Sequence, residues 1–254
     1  MPRFFLSRTE FDPESGFLTL RGSDAHHLTG VLRMKTGDPV TVSDMQRTDY
    51  HCRITGISGD GVLLSIESVQ ANMTEPPVSV SLFQSLPKGD KMDWIVQKSV
   101  ELGVTEIVPV MSSRCVTRIP QEKISSRTER WQRIAEESGK QCGRGIVPTV
   151  RQPVSFSSAL TLCETLDFPV FCYEGEGTEP ISRVFDPIRD RLSGGTIRPT
   201  VGVFIGPEGG YGLDEAESAR SAGIPLASLG RRILRCETAP LFFLSALQYA
   251  LELS

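Results

Sequence analysis

Before residue 71 the chain alternates apolar and polar positions in short bursts. FFLS (4–7), FLTL (17–20), PVTVSD (39–44), YHCRITGI (50–57) and GVLLSIESV (61–69) are rich in β-branched and aromatic residues and are separated by glycine or aspartate turns. They predict the strands of a small β-barrel. One helix-like segment, SDAHHLTGVLRM (23–34), begins at Ser23 or Asp24, either of which suits an N-cap. Residues 71–77, with adjacent Pro76 and Pro77, read as a linker. Beyond it the pattern changes to apolar runs interleaved with helical periods. VSVSLFQSL, TEIVPVM, FPVFCYE, PTVGVFIG and LASL read as strands. Helices are predicted from about Lys88 to Leu102, through RTERWQRIAEESGKQCGR, near Ile181 to Leu192, from Leu213, and over PLFFLSALQYALEL. Such alternation predicts a largely parallel sheet covered on both faces, and ligands of such sheets collect at the carboxyl ends of the strands.

With 254 residues, two domains are expected, drawn at 1–73 and 74–254. Hydrophobic residues at 39% and charged residues at 23% are ordinary for a globular chain. No apolar run is long enough to cross a bilayer, and the start of the chain lacks a signal pattern, so a cytoplasmic protein without a membrane partner is expected. The six cysteines are scattered without ligand spacing, which predicts reduced thiols and no metal.

A net charge of −4 gives no global reason to bind nucleic acid, so any polyanion must meet a local patch. Residues 114–144 hold eight basic and four acidic side chains. In that stretch Trp131, Ile134 and Ala135 share one helical face, and the charged remainder suits either a solvated face or a nucleic-acid footprint.

FIGPEGGYGLDEAE (204–217) places glycines around one acid between a strand and a helix. Glycine loops at that position commonly cradle phosphate, but this one has Glu208 where a phosphate would sit and lacks the Gly-Lys-Ser/Thr ending of a P-loop. Two more segments leave strands at the same end, YEGEG after Cys172 and GRRILRCETA after Leu229. Taken singly, each segment also has a purely structural reading as a turn or a helix cap. Their convergence is the pointer to a site.

GPEGGYG, LGRRILRCETA, DWIVQKSVELGV (93–104) and ERWQRIAEESGKQCGR (129–144) resemble the RsmE family, 16S ribosomal RNA uracil-N3-methyltransferases of the SPOUT superfamily. MPRFF and HHLTGVLRMKTGD resemble that family's PUA-like RNA-binding domain, so the resemblance spans nearly the whole chain. It implies a SPOUT-type α/β methyltransferase domain with a C-terminal trefoil knot, preceded by a PUA-like β-barrel. It further implies a homodimer, S-adenosyl-L-methionine as methyl donor, and 16S rRNA or the small ribosomal subunit as partner. The sequence departs from the family pattern at Cys236, where threonine is common, and at Ser113, where an acid is common.

The resemblance places the donor against Ile205, Gly206, Glu208, Gly209, Gly210, Leu229, Gly230, Ile233, Leu234, Thr238 and Ala239. Glycines there allow close approach of backbone to ligand. Glu208 has two open roles, fixing the turn or offsetting the sulfonium charge. The three histidines all precede the linker, so the groups expected to act on uracil are Arg144, Arg235 and Glu237. Arg144 also suits a plain role at the negative end of its helix. Arg3, Arg33, Lys35, Arg114 and Arg130 are the expected RNA contacts, although the N-terminal region through Met73 is near neutral, with seven basic and nine acidic residues. A non-catalytic ribosome-assembly factor that retains the fold is the alternative reading.

Overall fold

A computed structural model describes residues 1–7, 10–195 and 198–253. The chain forms two compact units: residues 1–75 with 139–147, and residues 76–138 with 148–254.

The first unit contains β1 (Arg3–Phe5), β2 (Phe17–Leu20), helix α1 (Gly22–His26), β3 (Pro39–Ser43), β4 (Thr48–Ser58) and β5 (Gly61–Ala71). The strands pair in the order β1-β3-β4-β5-β2, antiparallel except for the parallel β1-β3 pair. Period-two alternation sends Leu18, Leu20, Val40, Val42, Cys52, Ile54, Val62 and Leu64 into one core with Phe4 and Tyr50. Helix α1 is shorter than its pattern suggests and passes into a π-helical turn over His27–Val31. Its N-cap is Arg21 rather than Ser23 or Asp24, and no side chain caps it.

In the second unit β6 (Ser79–Ser85), α2 (Lys91–Glu101), β7 (Glu106–Met111) and α3 (Ile124–Cys142) come first. Two-residue strands β8 (Thr149–Val150) and β9 (Val154–Ser155) follow, then α4 (Phe156–Cys163), β10 (Phe168–Cys172), β11 (Glu179–Pro180) and α5 (Ile181–Ser193). β12 (Thr200–Ile205), α6 (Leu213–Ser221), β13 (Leu226–Ser228) and α7 (Ala239–Gln248) complete it, with a π-helical extension over Tyr249–Leu253. The sheet order is β11-β13-β10-β12-β6-β7-β8, with β9 also on β7, and every pairing is parallel. Central strands β6 and β12 are buried along both faces, as cover by helices on each side requires, with Ser81, Gln84 and Ser85 among the buried residues of β6.

β12 and β13 are successive strands in the chain but not neighbours, because β10 lies between them. The three segments singled out from the sequence therefore leave three adjacent strands, β13, β10 and β12. Gly202 makes the packing of this centre possible: a Cβ there would lie 2.7 Å from Leu166 and 2.8 Å from the Cys163 sulfur. Below the strand ends, Phe83 stacks on Phe204 at 4.5 Å and Phe171 packs on Tyr211 at 4.3 Å, giving the loops a stiff aromatic floor.

Candidate donor pocket

The carboxyl ends of β10, β12 and β13 surround a cleft of about 880 Å³, within the size range of small-molecule sites. Its walls are residues 172–175 after β10, 205–211 after β12, and 228–236 after β13, with Ala239 at the start of α7. Ile205, Gly206, Glu208, Gly209, Gly210, Leu229, Gly230, Ile233, Leu234 and Ala239 all line it. Thr238 takes the N-cap position of α7 without a side-chain capping bond and lies outside the lining.

The first loop has a shape that favours glycine. Gly210 has φ +62°, and Gly230 on the opposite wall has φ +104°. A Cβ on Gly206 would come within 3.2 Å of the Gly210 backbone.

Side chains from neighbouring elements clamp this loop. Glu208 Oε1 accepts from the Lys88 amide at 3.1 Å and from Lys91 Nζ at 2.9 Å. Arg114 Nη1 donates to the Gly209 carbonyl at 2.9 Å. The Glu215 carboxylate accepts from the Gly212 amide and from the amide and hydroxyl of Ser113, at 2.8–2.9 Å. Buried Tyr211 meets the Ser85 hydroxyl at 3.2 Å, and its burial raises the phenol well above its usual pKa.

Glu208 thus bonds the loop to the residues that open α2. Burial pushes its carboxyl up, but hydrogen bonds from Lys91 and the Lys88 amide outweigh that and bring its pKa to about 2. Glu237 also meets Lys91, at 3.1 Å, and accepts from the Cys236 thiol at 3.2 Å. Burial opposes ionisation of Glu237 too, yet these bonds hold it below the usual carboxylate range. The Cys236 thiol moves the other way, to about 12, through burial and the adjacent acid, and is inert.

Of the residues expected to act on uracil, Arg235 lines the cleft and is exposed, while Glu237 sits behind the lining on Lys91. Arg144 has a different setting. It belongs to the first unit, where its guanidinium grips Glu75 with two bonds of 2.8 Å and both side chains are almost fully buried. Arg144, expected to act on uracil, is held instead in a buried ion pair.

Two expected RNA contacts are likewise engaged in the fold. Arg3 is bidentate on Asp49 at 2.6 and 2.8 Å, and Arg130 holds Asp93 on α2. Arg33 and Lys35 are exposed, and Arg33 adopts φ +52°, unusual for a residue with a Cβ. Arg114, expected on the RNA side, lines the cleft instead.

Lys91 escaped the sequence reading. Its signal was positional: a lysine that opens a helix faces the positive end of the dipole and needs acids nearby. Tyr173, Glu174, Arg231 and Arg232, which also line the cleft, enter the sequence reading only as parts of the segments YEGEG and GRRILRCETA.

The residues fit S-adenosylmethionine. Ile205, Leu229, Ile233 and Leu234 offer apolar walls for an adenine, and the glycine loops bring backbone groups close. The loop acid Glu208 makes a poor cradle for phosphate. Among the described residues no cluster of three or more His, Cys, Asp or Glu side chains is placed to hold a metal, and no helix is long and apolar enough to cross a membrane.

Comparison with known proteins agrees with this geometry. Residues 74–248 match the family described as RNA methyltransferase domain, and residues 20–67 match the RNA methyltransferase PUA domain. The chain is 34% identical to the ribosomal RNA small subunit methyltransferase E of Bacillus subtilis, covering 100% of this chain and 98% of that protein. A similar solved structure is a putative methyltransferase from Legionella pneumophila in complex with its bound cofactor SAM (30% identity, TM-score 0.84, 98% of each chain). Another is the ribosomal RNA small subunit methyltransferase E of Neisseria gonorrhoeae bound to S-adenosylmethionine (30% identity, TM-score 0.80, 98% of this chain and 97% of that one).

Proposed function

The chain belongs to the ribosomal RNA small subunit methyltransferase E family of RNA methyltransferases, and from that premise we propose that its cleft binds S-adenosylmethionine for methylation of N3 of a uridine in 16S rRNA. The observation that carries this reading is the convergence of three glycine- or arginine-rich loops on one cleft at the carboxyl end of a parallel sheet. When bound, the donor supplies an already activated methyl group. The chain's own work is to hold the donor, exclude water and orient the base.

Gly206, Gly209 and Gly210 admit the ligand against the backbone of the first loop. Leu229, Ile233 and Leu234 cover its apolar part from the opposite wall. Arg235, exposed on the lining, is the proposed substrate-side group: a permanent cation there stabilises uracil oxygens as N3 loses its proton. With its carboxyl held low by Lys91 and Cys236, Glu237 makes a weak base and serves better as a counter-ion within the wall. Exposed Arg33 and Lys35 on the first unit are proposed RNA contacts.

We also assign an N-terminal domain over 1–73 and a C-terminal domain over 74–254, whose segment 139–147 packs into the first compact unit, a trefoil knot in the C-terminal part, and a homodimer. The later strands β12 and β13 lie on either side of β10, a crossing order compatible with such a knot. On α7 and its extension Phe242 and Tyr249 are exposed while Phe243, Leu244 and Leu247 are buried, so apolar residues face two sides. A partner copy covering the exposed side predicts a dimeric mass in light scattering. Action on rRNA would place the protein in the cytoplasm.

The deciding assay is transfer of labelled methyl from S-adenosylmethionine to 16S rRNA or small subunits, with nucleoside analysis of the product. N3-methyluridine is expected, and Gly206→Val should weaken donor binding at least about tenfold, about 1.4 kcal/mol. RNA binding without transfer would favour the assembly-factor reading.

A further inference from the structure

Two walls of the cleft follow different strands, β12 and β13, and one side chain from a distant part of the chain touches both. Lys91 opens α2, after the β6 strand that pairs with β12. Its ammonium group lies 2.9 Å from Glu208 Oε1 on the first glycine loop and 3.1 Å from Glu237 Oε2 on the arginine-rich segment. The Cys236 sulfur is 3.9 Å away. We propose that Lys91 is a positioning residue of the donor pocket, tying the glycine loop, through Glu208, to the arginine-rich wall, through Glu237, so that both are held at the spacing the donor requires. The role rests on the reading of this cleft as the donor site.

Geometry and charge agree on this role. A lysine at the first helical position works against the helix dipole, and two acids from outside the helix supply what the dipole withholds. Hydrogen bonds to Glu208 and Glu237 hold the ammonium group above the usual lysine range, so it stays charged and cannot serve as a proton acceptor. The Lys88 amide binds the same Glu208 oxygen, so the start of α2 grips the loop at two points. With three donors on a flexible stem, Lys91 can bond both acids at once. Arg114 clamps the glycine loop separately, at Gly209, and has no bond to the arginine-rich wall among those described, so it cannot replace the tie.

Coupling is the property to test, since a simple surface ion pair would stabilise one wall only. Amide exchange is measured by mass spectrometry on the ligand-free full chain, over peptides covering 204–212 and 229–239. Lys91→Met should speed exchange in both segments at least about threefold. Glu208→Gln should act on 204–212 alone and Glu237→Gln on 229–239 alone. Lys91→Arg should restore most of the protection. In steady-state transfer Lys91→Met should raise KM for S-adenosylmethionine and leave KM for RNA unchanged.

Unchanged exchange in Lys91→Met, or loosening of one segment only, overturns the tie. A rise in both KM values together overturns its restriction to the donor. These outcomes are separate from failure of the donor reading, which would show as absence of S-adenosylmethionine binding to the wild-type chain by calorimetry.

Discussion

Replacing Arg144 by alanine should destabilise the first unit by about 3 kcal/mol. The Arg144 and Glu75 side chains are 3% and 1% exposed, and Nε and Nη2 bind Oε1 and Oε2, each at 2.8 Å. Glu75 Oε1 also accepts from the amides of Gly145 at 2.9 Å and Ile146 at 3.2 Å. Removing one partner of a buried ion pair costs about 3–5 kcal/mol, because the other charge is left in a poorly solvating interior. The amides of Gly145 and Ile146 remain to solvate the stranded carboxylate, which places the loss at the lower end of that range. Removing both charges, in Arg144→Met with Glu75→Gln, should recover all but about 1–2 kcal/mol, since the pair's desolvation cost disappears with it. Urea unfolding of the wild type, both single variants and the double variant measures the coupling. The two units need not unfold together, so the transition of the first is followed by exchange in peptides from residues 1–75. A loss below about 1 kcal/mol in Arg144→Ala would refute the reasoning. If that variant also kept its donor affinity and lost at least about tenfold in transfer, the guanidinium would be acting on RNA outside the pair.

The acid limb of stability offers a second check. Glu208 is held at about 2 in the fold against an ordinary 4.5, so its contribution is full above about pH 4.5 and is lost as pH falls through 2. Glu208→Gln should flatten that part of the stability profile of the second unit, read by circular dichroism across pH. Gly202→Ala should cost about 1–3 kcal/mol by overpacking, because its Cβ would enter space held by Leu166 and Cys163. Thermal melting measures this, and an unchanged midpoint would mean the neighbours can yield.

Much of the fold was legible because its signals are local. Alternation in FLTL and YHCRIT reports which face of a strand is buried, and VSVSLFQ and TVGVFI, with no such in-and-out pattern, are buried on both faces. Glycines at 206, 209 and 210, and the segments after Cys172, Ile205 and Leu229, marked the cleft, since loop chemistry and strand ends are readable along the chain. The role of a long charged side chain was not readable, because it depends on which partner tertiary packing brings within 3 Å. Arg144 follows a basic helix, which suggested an RNA-facing group, yet it lies 69 residues from the Glu75 that buries it. Lys91 lies 117 residues from Glu208 and 146 from Glu237, and only the parallel pairing of β6 with β12 brings α2 to the glycine loop. Likewise β12 and β13 settle on either side of β10, and residues 139–147 join the N-terminal unit, through contacts distant in sequence. Periodicity records how much of each residue is buried; which groups meet there is decided by the packed fold, where desolvation makes each charge take the partner that geometry offers.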